Sequence, residues 1–348
     1  MKTLTYFEKR DLKNMEKIGK YLEKLPEYCY DFITGIEQNT SSLTRVNYAM
    51  DISIFFEYIS KYLFKKDPQS ITLQDLDTIE ARNIESYLSY LSFYQIDDKV
   101  YKNTENGKAR KLASVRSFFK YLFDHDMISK NVASKVPTPK LHSKEIIRLE
   151  NDEIERMLDA VQTPTTFTER QKSYNKNTKV RDNAIVTLFL GTGIRVSELV
   201  GLNVDDFDFS QNAFKVTRKG GNSTILYFPN EVKYALTEWL EIRKTLPIDE
   251  NEKALFISLQ NKRICTRAVE NLVKKFARES APLKKISPHK LRSTFGTNLY
   301  RETNDIYIVA DVLGHKDVNT TRKHYAAISE DMRKGIAKKI KITNSLYE

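Results

Sequence analysis

The sequence lacks the features that mark membrane-spanning and disulfide-stabilised proteins. It contains no apolar run of the roughly 20 residues that a helix needs to cross a bilayer, and its first ten residues hold no apolar stretch typical of a signal peptide. The two cysteines, Cys29 and Cys265, are far apart and have no metal-ligand spacing. We therefore expect a cytoplasmic protein in which both thiols are reduced and fill the core.

Acidic residues are too few to balance the basic ones. Lysine and arginine number 57 against 46 aspartate and glutamate residues, which gives a formal net charge of +11 and a pI of about 9.3. Such an excess favours a polyanionic partner, either nucleic acid or an anionic membrane surface, and a basic protein without such a partner is the alternative. The 348 residues, 40% hydrophobic and 30% charged, are enough for two globular domains.

Residues 1–135 are predicted to form a helical domain. Apolar residues recur at helical spacing in residues 44–63, 84–91 and 106–123. No acidic residue interrupts the cations between Lys108 and Lys120, so these charges form either a solvated face or a surface that contacts phosphates. The cations of this domain that we expect to contact phosphates are Arg45, Lys108, Arg110, Lys111 and Arg116.

Residues 136–148 are predicted to be a linker between the helical domain and a second domain, residues 149–348. Pro137 and Pro139 lie in this segment, and proline both lacks an amide proton and disfavours helix in the residue before it. An extended segment that carries Lys140 and Lys144 suits contact with a nucleic-acid backbone.

The second domain is predicted to combine helices with a small antiparallel sheet. Its predicted elements are helices over residues 181–190 and 194–202, strands over residues 213–218 and 223–228, and one short strand over residues 254–258. The segment Lys219-Gly220-Gly221-Asn222 indicates a hairpin, because glycine accepts the positive φ of a tight turn. With the remainder predicted as helices, the expected fold class is mainly α with a small antiparallel β-sheet.

Two arginines are placed where they can bind one phosphate group. Arg195 follows the glycine-bracketed turn of residues 191–193, and Glu198 lies one turn later, where it can orient the guanidinium. Arg292 lies three residues after His289, in the first turn of a helix whose start is indicated by a serine and a proline. Two arginines on one phosphate neutralise both non-bridging oxygens as charge develops. Taken singly, these residues have simpler explanations. Arg195 would form an ion pair with Glu198, and His289 and Arg292 would be an exposed pair without a role.

Three further side chains suit acid–base and nucleophilic chemistry. Lys219 lies at the hairpin tip, where it can enter a DNA groove or remain an exposed turn lysine, and Lys215 and Arg218 are the competing cations. Tyr325 follows His315 by ten residues. A phenol with an ordinary pKa near ~10 becomes a useful nucleophile only when nearby cations favour its phenolate. The histidines have no HExxH motif or paired cysteines, so we expect no zinc site.

The order of these residues resembles the active site of the tyrosine site-specific recombinases, the Xer and phage-integrase family. Arginine, lysine, His-x-x-Arg, Gly-His and tyrosine follow one another in a basic chain, and the resemblance covers residues 150–330 at motif level. The helical domain before it is similar to the family's core-binding domain. Within the family the chain is similar to the Xer type, and residues 22–63 resemble the single-recombinase Xer enzymes.

The resemblance implies a role for each residue of the motif. The implied catalytic residues are Arg195, Lys219, His289, Arg292, His315 and Tyr325. In this reading Tyr325 is the nucleophile, the two arginines bind the scissile phosphate, and Lys219 is the general acid on the leaving 5′-oxygen. His289 is the general base or a proton shuttle, His315 is a further phosphate donor, and Glu198 supports the arginine.

One departure from the family concerns the spacing before the tyrosine. The family usually places the tyrosine nine residues after the Gly-His histidine, whereas Tyr325 lies ten residues after His315. We therefore expect an insertion within residues 322–324. Tyr325 remains the predicted nucleophile because no other tyrosine lies between Tyr307 and Tyr347.

The resemblance also implies the reaction and the assembly. Tyr325 forms a 3′-phosphotyrosyl link and releases a 5′-hydroxyl, and a 5′-hydroxyl from a partner duplex then attacks that link, so neither ATP nor a metal is implied. A homotetramer on two specific sites in duplex DNA is expected to exchange strands, for chromosome dimer resolution or for integration and excision. Residues 328–342 are expected to form an amphipathic helix that docks on a neighbouring protomer or packs on its own domain. A type IB topoisomerase and a non-catalytic DNA-binding protein are the alternatives.

Overall fold

A computed structural model describes residues 4–96, 98–141, 147–218, 222–314 and 318 of the chain. The chain divides into two compact units, residues 1–144 and 145–348, and the division falls inside the predicted linker. In the described parts of that linker, residues 136–141 and 147–148, the chain forms neither helix nor strand.

The first unit is helical apart from one short hairpin. Its described helices and strands are α1 (Tyr6–Leu22), α2 (Glu27–Gly35), α3 (Ser42–Ile59), α4 (Leu73–Thr78), α5 (Ala81–Tyr90), β1 (Tyr94–Ile96), β2 (Lys99–Tyr101) and α6 (Glu105–Asp124). Shorter 3-10 turns and one π turn lie at Glu37–Asn39, Pro68–Ser70, Val132–Lys135 and Ser60–Phe64. The predicted helices over residues 44–63, 84–91 and 106–123 are confirmed as α3, α5 and α6. The antiparallel β1–β2 pair was not predicted, because strands of three residues are too short to show alternation.

Aromatic side chains of α3 and α6 form the centre of the first unit's core. Phe55 and Phe56 on α3 and Phe118 and Phe119 on α6 are fully buried, and their rings meet edge to face across the two helices. Each such burial contributes roughly 1.5–3 kcal/mol. Helix α1 packs against α3, and the Thr5 hydroxyl caps its first turn. Because one face of α6 is committed to this core, only its remaining face is available to solvent.

The second unit combines helices with a three-stranded antiparallel sheet. Its described elements are α7 (Asn151–Gln162), α8 (Glu169–Thr192), α9 (Val196–Leu199), a 3-10 turn (Val204–Asp206), β3 (Phe207–Asp208), β4 (Ala213–Thr217), β5 (Ser223–Tyr227), α10 (Asn230–Thr245), α11 (Thr266–Ser280), α12 (Pro288–Thr303) and α13 (Ile306–Leu313). The strand order is β3-β4-β5, and the predicted hairpin is confirmed, with Ala213 opposite Tyr227 and Thr217 opposite Ser223. The expected fold class, mainly α with a small antiparallel sheet, is confirmed.

Three predicted elements of the second unit are wrong in extent or in kind. The helix predicted over residues 194–202 is limited to α9, Val196–Leu199. Helix α8 begins at Glu169 rather than at residue 181, because Thr168 caps it and its polar first half shows no apolar stripe. Residues 254–258 form no strand among the described residues. They make isolated bridges instead, from Ala254 to Asn203 on one side and from Ile257 to Arg263 on the other.

The C-terminal half of α8 lies at the centre of the second unit. Ile185, Leu188 and Phe189 are completely buried, and α8 packs against α7, α10 and α12. The helix ends at Gly193, whose left-handed φ of 60° stops the helical ladder. Neighbouring helices therefore fix the point from which the chain runs to Arg195.

The two cysteines differ in their surroundings. Cys29 is fully buried in the core of the first unit, and burial raises the pKa of its thiol. Cys265 is exposed at the N-cap position of α11, so the expectation that it fills the core is wrong. Within the described residues, no helix has the length and apolar content needed to cross a bilayer.

Candidate active site

Arg195 lies between the end of α8 and the start of α9, where Glu198 holds it. Gly193 makes this turn possible, since its φ is 60° and a Cβ there would lie 2.4 Å from the ring of Phe295. The Arg195 backbone N–H donates to Glu198 Oε2 at 3.0 Å, and Arg195 Nη1 donates to Oε1 at 2.7 Å. The Glu198 side chain is 5% exposed and that of Arg195 is 36% exposed. A buried carboxylate thus fixes the direction of a guanidinium that remains accessible.

Arg292 lies in the second turn of α12 and connects two other turns of the chain. Its side chain is buried, Nη1 donates to the Gly193 carbonyl at 2.5 Å, and Nη2 donates to the Leu313 carbonyl. The predicted start of α12 at Ser287 is confirmed, although that side chain makes no capping hydrogen bond. His289, in the first turn of the same helix, is exposed. The arginine therefore joins the end of α8 to the end of α13.

The C-terminal end of α13 binds three guanidinium groups. The carbonyls of Val312, Leu313 and Gly314 accept hydrogen bonds from the side chains of Arg218, Arg292 and Arg195, respectively. The last carbonyls of a helix have no partners within the helix and carry partial negative charge, so cations are stabilised there. The acids near Arg218 are Glu198 and Asp311, so the three arginines leave an excess of positive charge that suits an anion.

Arg218 belongs to this cluster, although its position in the sequence indicated only an alternative to Lys219 as the functional cation of the hairpin. Strand β4 buries Phe214 and Val216 and exposes Lys215. The same alternation assigns Arg218, one residue beyond the strand, to the inner side. The period of two in the sequence was therefore the signal that could have separated Arg218 from Lys215.

Asp51 is a fully buried acid that binds two of the cations expected to contact phosphates. Its carboxylate accepts hydrogen bonds from Arg110 at 2.5 and 2.7 Å, from Lys111 at 3.0 Å and from Ser114 at 2.7 Å. The Lys111 side chain is 3% exposed and its ammonium group is paired with Asp51, so its predicted phosphate contact would require that pair to open. Burial lowers the pKa of Lys111, and Asp51 opposes that effect. Arg110 is 45% exposed and keeps access to solvent.

Arg45 and Arg116 also bind groups of the protein itself. The Arg45 side chain is 9% exposed and pairs with Glu37 at 2.7 Å, and its phosphate contact stays a prediction. Arg116 is half-buried, and its guanidinium donates to the Val136 carbonyl and, at 2.8 Å, to the Thr138 hydroxyl. Arg116 therefore holds the start of the linker against α6, which is a structural use of its charge.

The comparisons with known proteins give the family. The profile of the phage integrase family matches residues 147–332, more than half of the chain. The chain belongs to the phage integrase family of tyrosine recombinases. The resemblance drawn from the motifs is therefore confirmed, and the protein is an enzyme that cleaves and rejoins DNA through a tyrosine.

Two XerC proteins and one solved recombinase illustrate the relationship. The tyrosine recombinase is 33% identical over 340 residues to tyrosine recombinase XerC of Caldanaerobacter subterraneus, which covers 95% of this chain and 90% of that protein. It is 37% identical over 302 residues to XerC of Thermodesulfovibrio yellowstonii, covering 85% and 90%. The XerH site-specific recombinase bound to palindromic difH substrate has the same fold, with a TM-score of 0.63 and 18% identity over 86% of this chain and 81% of that one.

Three predicted catalytic residues of this tyrosine recombinase, Lys219, His315 and Tyr325, lie outside the described residues, as do Lys144 and residues 328–342. The structure describes the residues that directly precede two of them. Arg218 precedes Lys219, and Gly314 precedes His315. Arg218 Nη1 lies 1.4 Å from the ideal position of a Cβ on Gly314, so these two preceding residues are in contact.

Proposed function

We propose that this tyrosine recombinase is a site-specific enzyme of the Xer type in which Arg195 and Arg292 bind the scissile phosphate. The observation that carries the proposal is their shared position at the end of α13, where they donate to the adjacent carbonyls of Gly314 and Leu313. The buried carboxylate of Glu198 orients the guanidinium of Arg195. Two guanidiniums this close supply donors for both non-bridging oxygens of one phosphate.

Tyr325 supplies the nucleophile in the proposed reaction. A bond forms between its phenolic oxygen and phosphorus, the bond from phosphorus to the 5′-oxygen breaks, and Lys219 gives that oxygen its proton. His289 accepts the phenolic proton, and His315 donates to the phosphate. The 5′-hydroxyl of a partner duplex then attacks phosphorus, and the phenol leaves. The phosphotyrosyl link conserves the phosphodiester, so the exchange needs no ATP, and the arginines supply the positive charge.

Duplex DNA is the proposed partner, and accessible cations of the first unit are proposed to contact its backbone. Arg110 is 45% exposed and Lys140 is exposed. Lys108 is less accessible, because its side chain is 15% exposed and pairs with Glu105 at 3.1 Å. If Arg110 contacts a phosphate, Arg110→Ala should lower the slope of log affinity against log salt by about 0.9. The exposed Lys244 on α10 is the control, and Lys244→Ala should leave the slope unchanged. An unchanged slope in Arg110→Ala would restrict this arginine to its role inside the fold.

The proposed assembly is a homotetramer on two recombination sites, since strand exchange joins two duplexes and each duplex carries two cleavage points. The similarity to proteins named XerC favours chromosome dimer resolution over integration and excision as the biological role. The cytoplasm is the proposed location of such a reaction. Residues 328–342 are proposed to dock on the neighbouring protomer.

Capture of covalently bound DNA tests the proposed function. The wild-type protein is incubated with fragmented genomic DNA and denatured, and the DNA that remains attached is sequenced. We expect one short site with two inverted halves to be enriched. Relaxation of any supercoiled plasmid without a preferred site would instead identify a topoisomerase. DNA binding without any covalent adduct would identify a non-catalytic DNA-binding protein.

A further inference from the structure

Arg218 occupies a position at the end of α13 that the proposed catalytic roles do not use. Its Nη2 donates to the Val312 carbonyl at 3.0 Å. Its Nη1 lies 1.4 Å from the place where a Cβ of Gly314 would be, and the φ of Gly314 is 62°. A side chain at residue 314 would strain the backbone at this positive φ and would displace the Arg218 guanidinium from its present position.

Burial and a neighbouring cation offset the stabilisation that Arg218 gains from the Val312 carbonyl and the nearby acids. Its Nε is buried and has no hydrogen-bond partner among the described residues. Burial lowers the pKa of Arg218, Glu198 opposes that effect, and Arg195 adds to it. A half-buried guanidinium with an unsatisfied donor beside a second guanidinium costs free energy. Such a residue is retained more readily for a task at the site than for the stability of the hairpin.

We propose that Arg218 is a positioning residue that fixes the C-terminal end of α13 against Arg195 and Arg292. It acts through the backbone whose carbonyls bind those two arginines and does not touch the phosphate itself. The proposal rests on the phosphate-binding role proposed for the two arginines. The same end of α13 leads directly to His315. Loss of Arg218 should therefore misplace the phosphate-binding groups together and leave DNA binding intact.

Substitution of Arg218 gives the direct test, in single-turnover cleavage of a nicked duplex that traps the covalent adduct. We expect Arg218→Ala to slow cleavage by roughly 10- to 100-fold at saturating DNA, since misplacement by about 1 Å has an effect of that order. Arg218→Lys keeps a donor for the Val312 carbonyl and should recover part of the rate. Lys215, exposed on the same hairpin, is the matched control, and Lys215→Ala should cleave at the wild-type rate.

Two readouts separate positioning from the competing roles. DNA affinity and its salt dependence should equal those of the wild type in Arg218→Ala, and a slope lower by about 0.9 would make Arg218 a phosphate contact and overturn the proposal. A substrate with a 5′-bridging sulfur has a leaving group that needs no proton. This substrate should restore cleavage by Lys219→Ala but not by Arg218→Ala. Restoration of both would show that Arg218 acts only through Lys219, which also overturns the proposal.

A second variant keeps the proposal testable if Arg218→Ala is unstable. Gly314→Ala places a methyl group on the Arg218 guanidinium and should also slow cleavage. Combined with Arg218→Ala, the double variant should lose less than the product of the two single effects, because the contact between the methyl group and the guanidinium is then absent and only the strain at the positive φ of residue 314 remains; full multiplication would overturn the proposal. Absence of adduct with the wild type would refute the proposed function and the positioning role with it. Equal cleavage by the wild type and Arg218→Ala would refute the positioning role alone.

Discussion

Replacement of Glu198 by glutamine tests how Arg195, the first of the two arginines proposed to bind phosphate, is held. The substitution keeps the shape of the side chain and removes its charge. One carboxylate oxygen accepts the Arg195 backbone N–H at 3.0 Å and the other accepts Arg195 Nη1 at 2.7 Å, with the side chain 5% exposed. Glutamine has one side-chain oxygen, which can still accept the hydrogen bond from the Arg195 backbone N–H. Its amide NH2 group then faces Arg195 Nη1, which is also a donor, so that hydrogen bond is lost.

The expected effect corresponds to the loss of one hydrogen bond between charged groups. Such a bond contributes about 1.5–3 kcal/mol, and 1.36 kcal/mol is a factor of about ten in rate. Arg195 keeps its contact with the Gly314 carbonyl, so the fold retains one of the two partners of the guanidinium. We therefore expect most of the loss in the transition state, with cleavage by Glu198→Gln slowed roughly 10- to 100-fold.

Single-turnover cleavage and urea unfolding measure the two parts of this effect separately. Glu241 provides the control, because it forms a pair of the same spacing with Lys244 at 2.6 Å, with side chains 65% and 69% exposed. Exposed pairs contribute little, so Glu241→Gln should change neither cleavage nor stability. Cleavage by Glu198→Gln at the wild-type rate, in a protein that folds normally, would refute the claim that Glu198 directs Arg195.

Three further predictions concern the nucleophile, the buried charges and the response to acid. Tyr325→Phe removes only the nucleophilic oxygen, so DNA binding should persist while the covalent adduct disappears from a denaturing gel, and an undiminished adduct would place the nucleophile elsewhere. Asp51→Asn should lower the free energy of unfolding by roughly 3–5 kcal/mol, because it leaves buried Lys111 without its charge partner. Urea unfolding should show recovery when Lys111→Met is added, and simply additive losses would contradict the ion-pair explanation. The hydrogen bond from Lys66 lowers the pKa of Asp75 below its ordinary value. The stability that this carboxylate contributes is therefore present above the ordinary carboxyl pKa and is lost as the pH falls through the lowered one. Acid unfolding curves should show a smaller loss in that range for Asp75→Asn than for the wild type, and equal losses would rule the effect out.

The turn that carries Arg195 was predictable because its cause is local. A glycine with left-handed φ after an apolar helix ends that helix whatever packs around it, and Gly193 does so here. Glu198 lies one turn beyond Arg195, so the sequence spacing alone indicated their contact, which the structure shows at 2.7 Å. The strands β4 and β5 were predictable for a similar reason, since alternation and a glycine-rich turn act over a few residues.

The partners of Arg110, Lys111 and Arg116 on α6 were not predictable, because they lie far away in the sequence. Lys111 is 60 positions from Asp51, and the residues near Lys111 in the sequence give no indication that it pairs with a buried carboxylate. The helical periodicity did indicate that Lys111 would be buried. Lys111 lies at helical spacing from Val115, Phe118 and Leu122, all fully buried, so the period places it on the apolar face of α6 despite its charge.

The carbonyls at the end of α13 also affect how much the side chains of the site must rearrange when the substrate binds. Two flexible arginines in water would each lose rotamer freedom on closing around a phosphate, and their like charges would oppose that closure. Here Arg195 and Arg292, the two arginines proposed to bind the phosphate, are already ordered by backbone oxygens. Their conformational entropy is lost during folding rather than on binding, so a phosphate bound there would meet donors that need little reorganisation. The carbonyl oxygens at the end of a short helix thus arrange the arginines in advance for the phosphate group that they are proposed to stabilise.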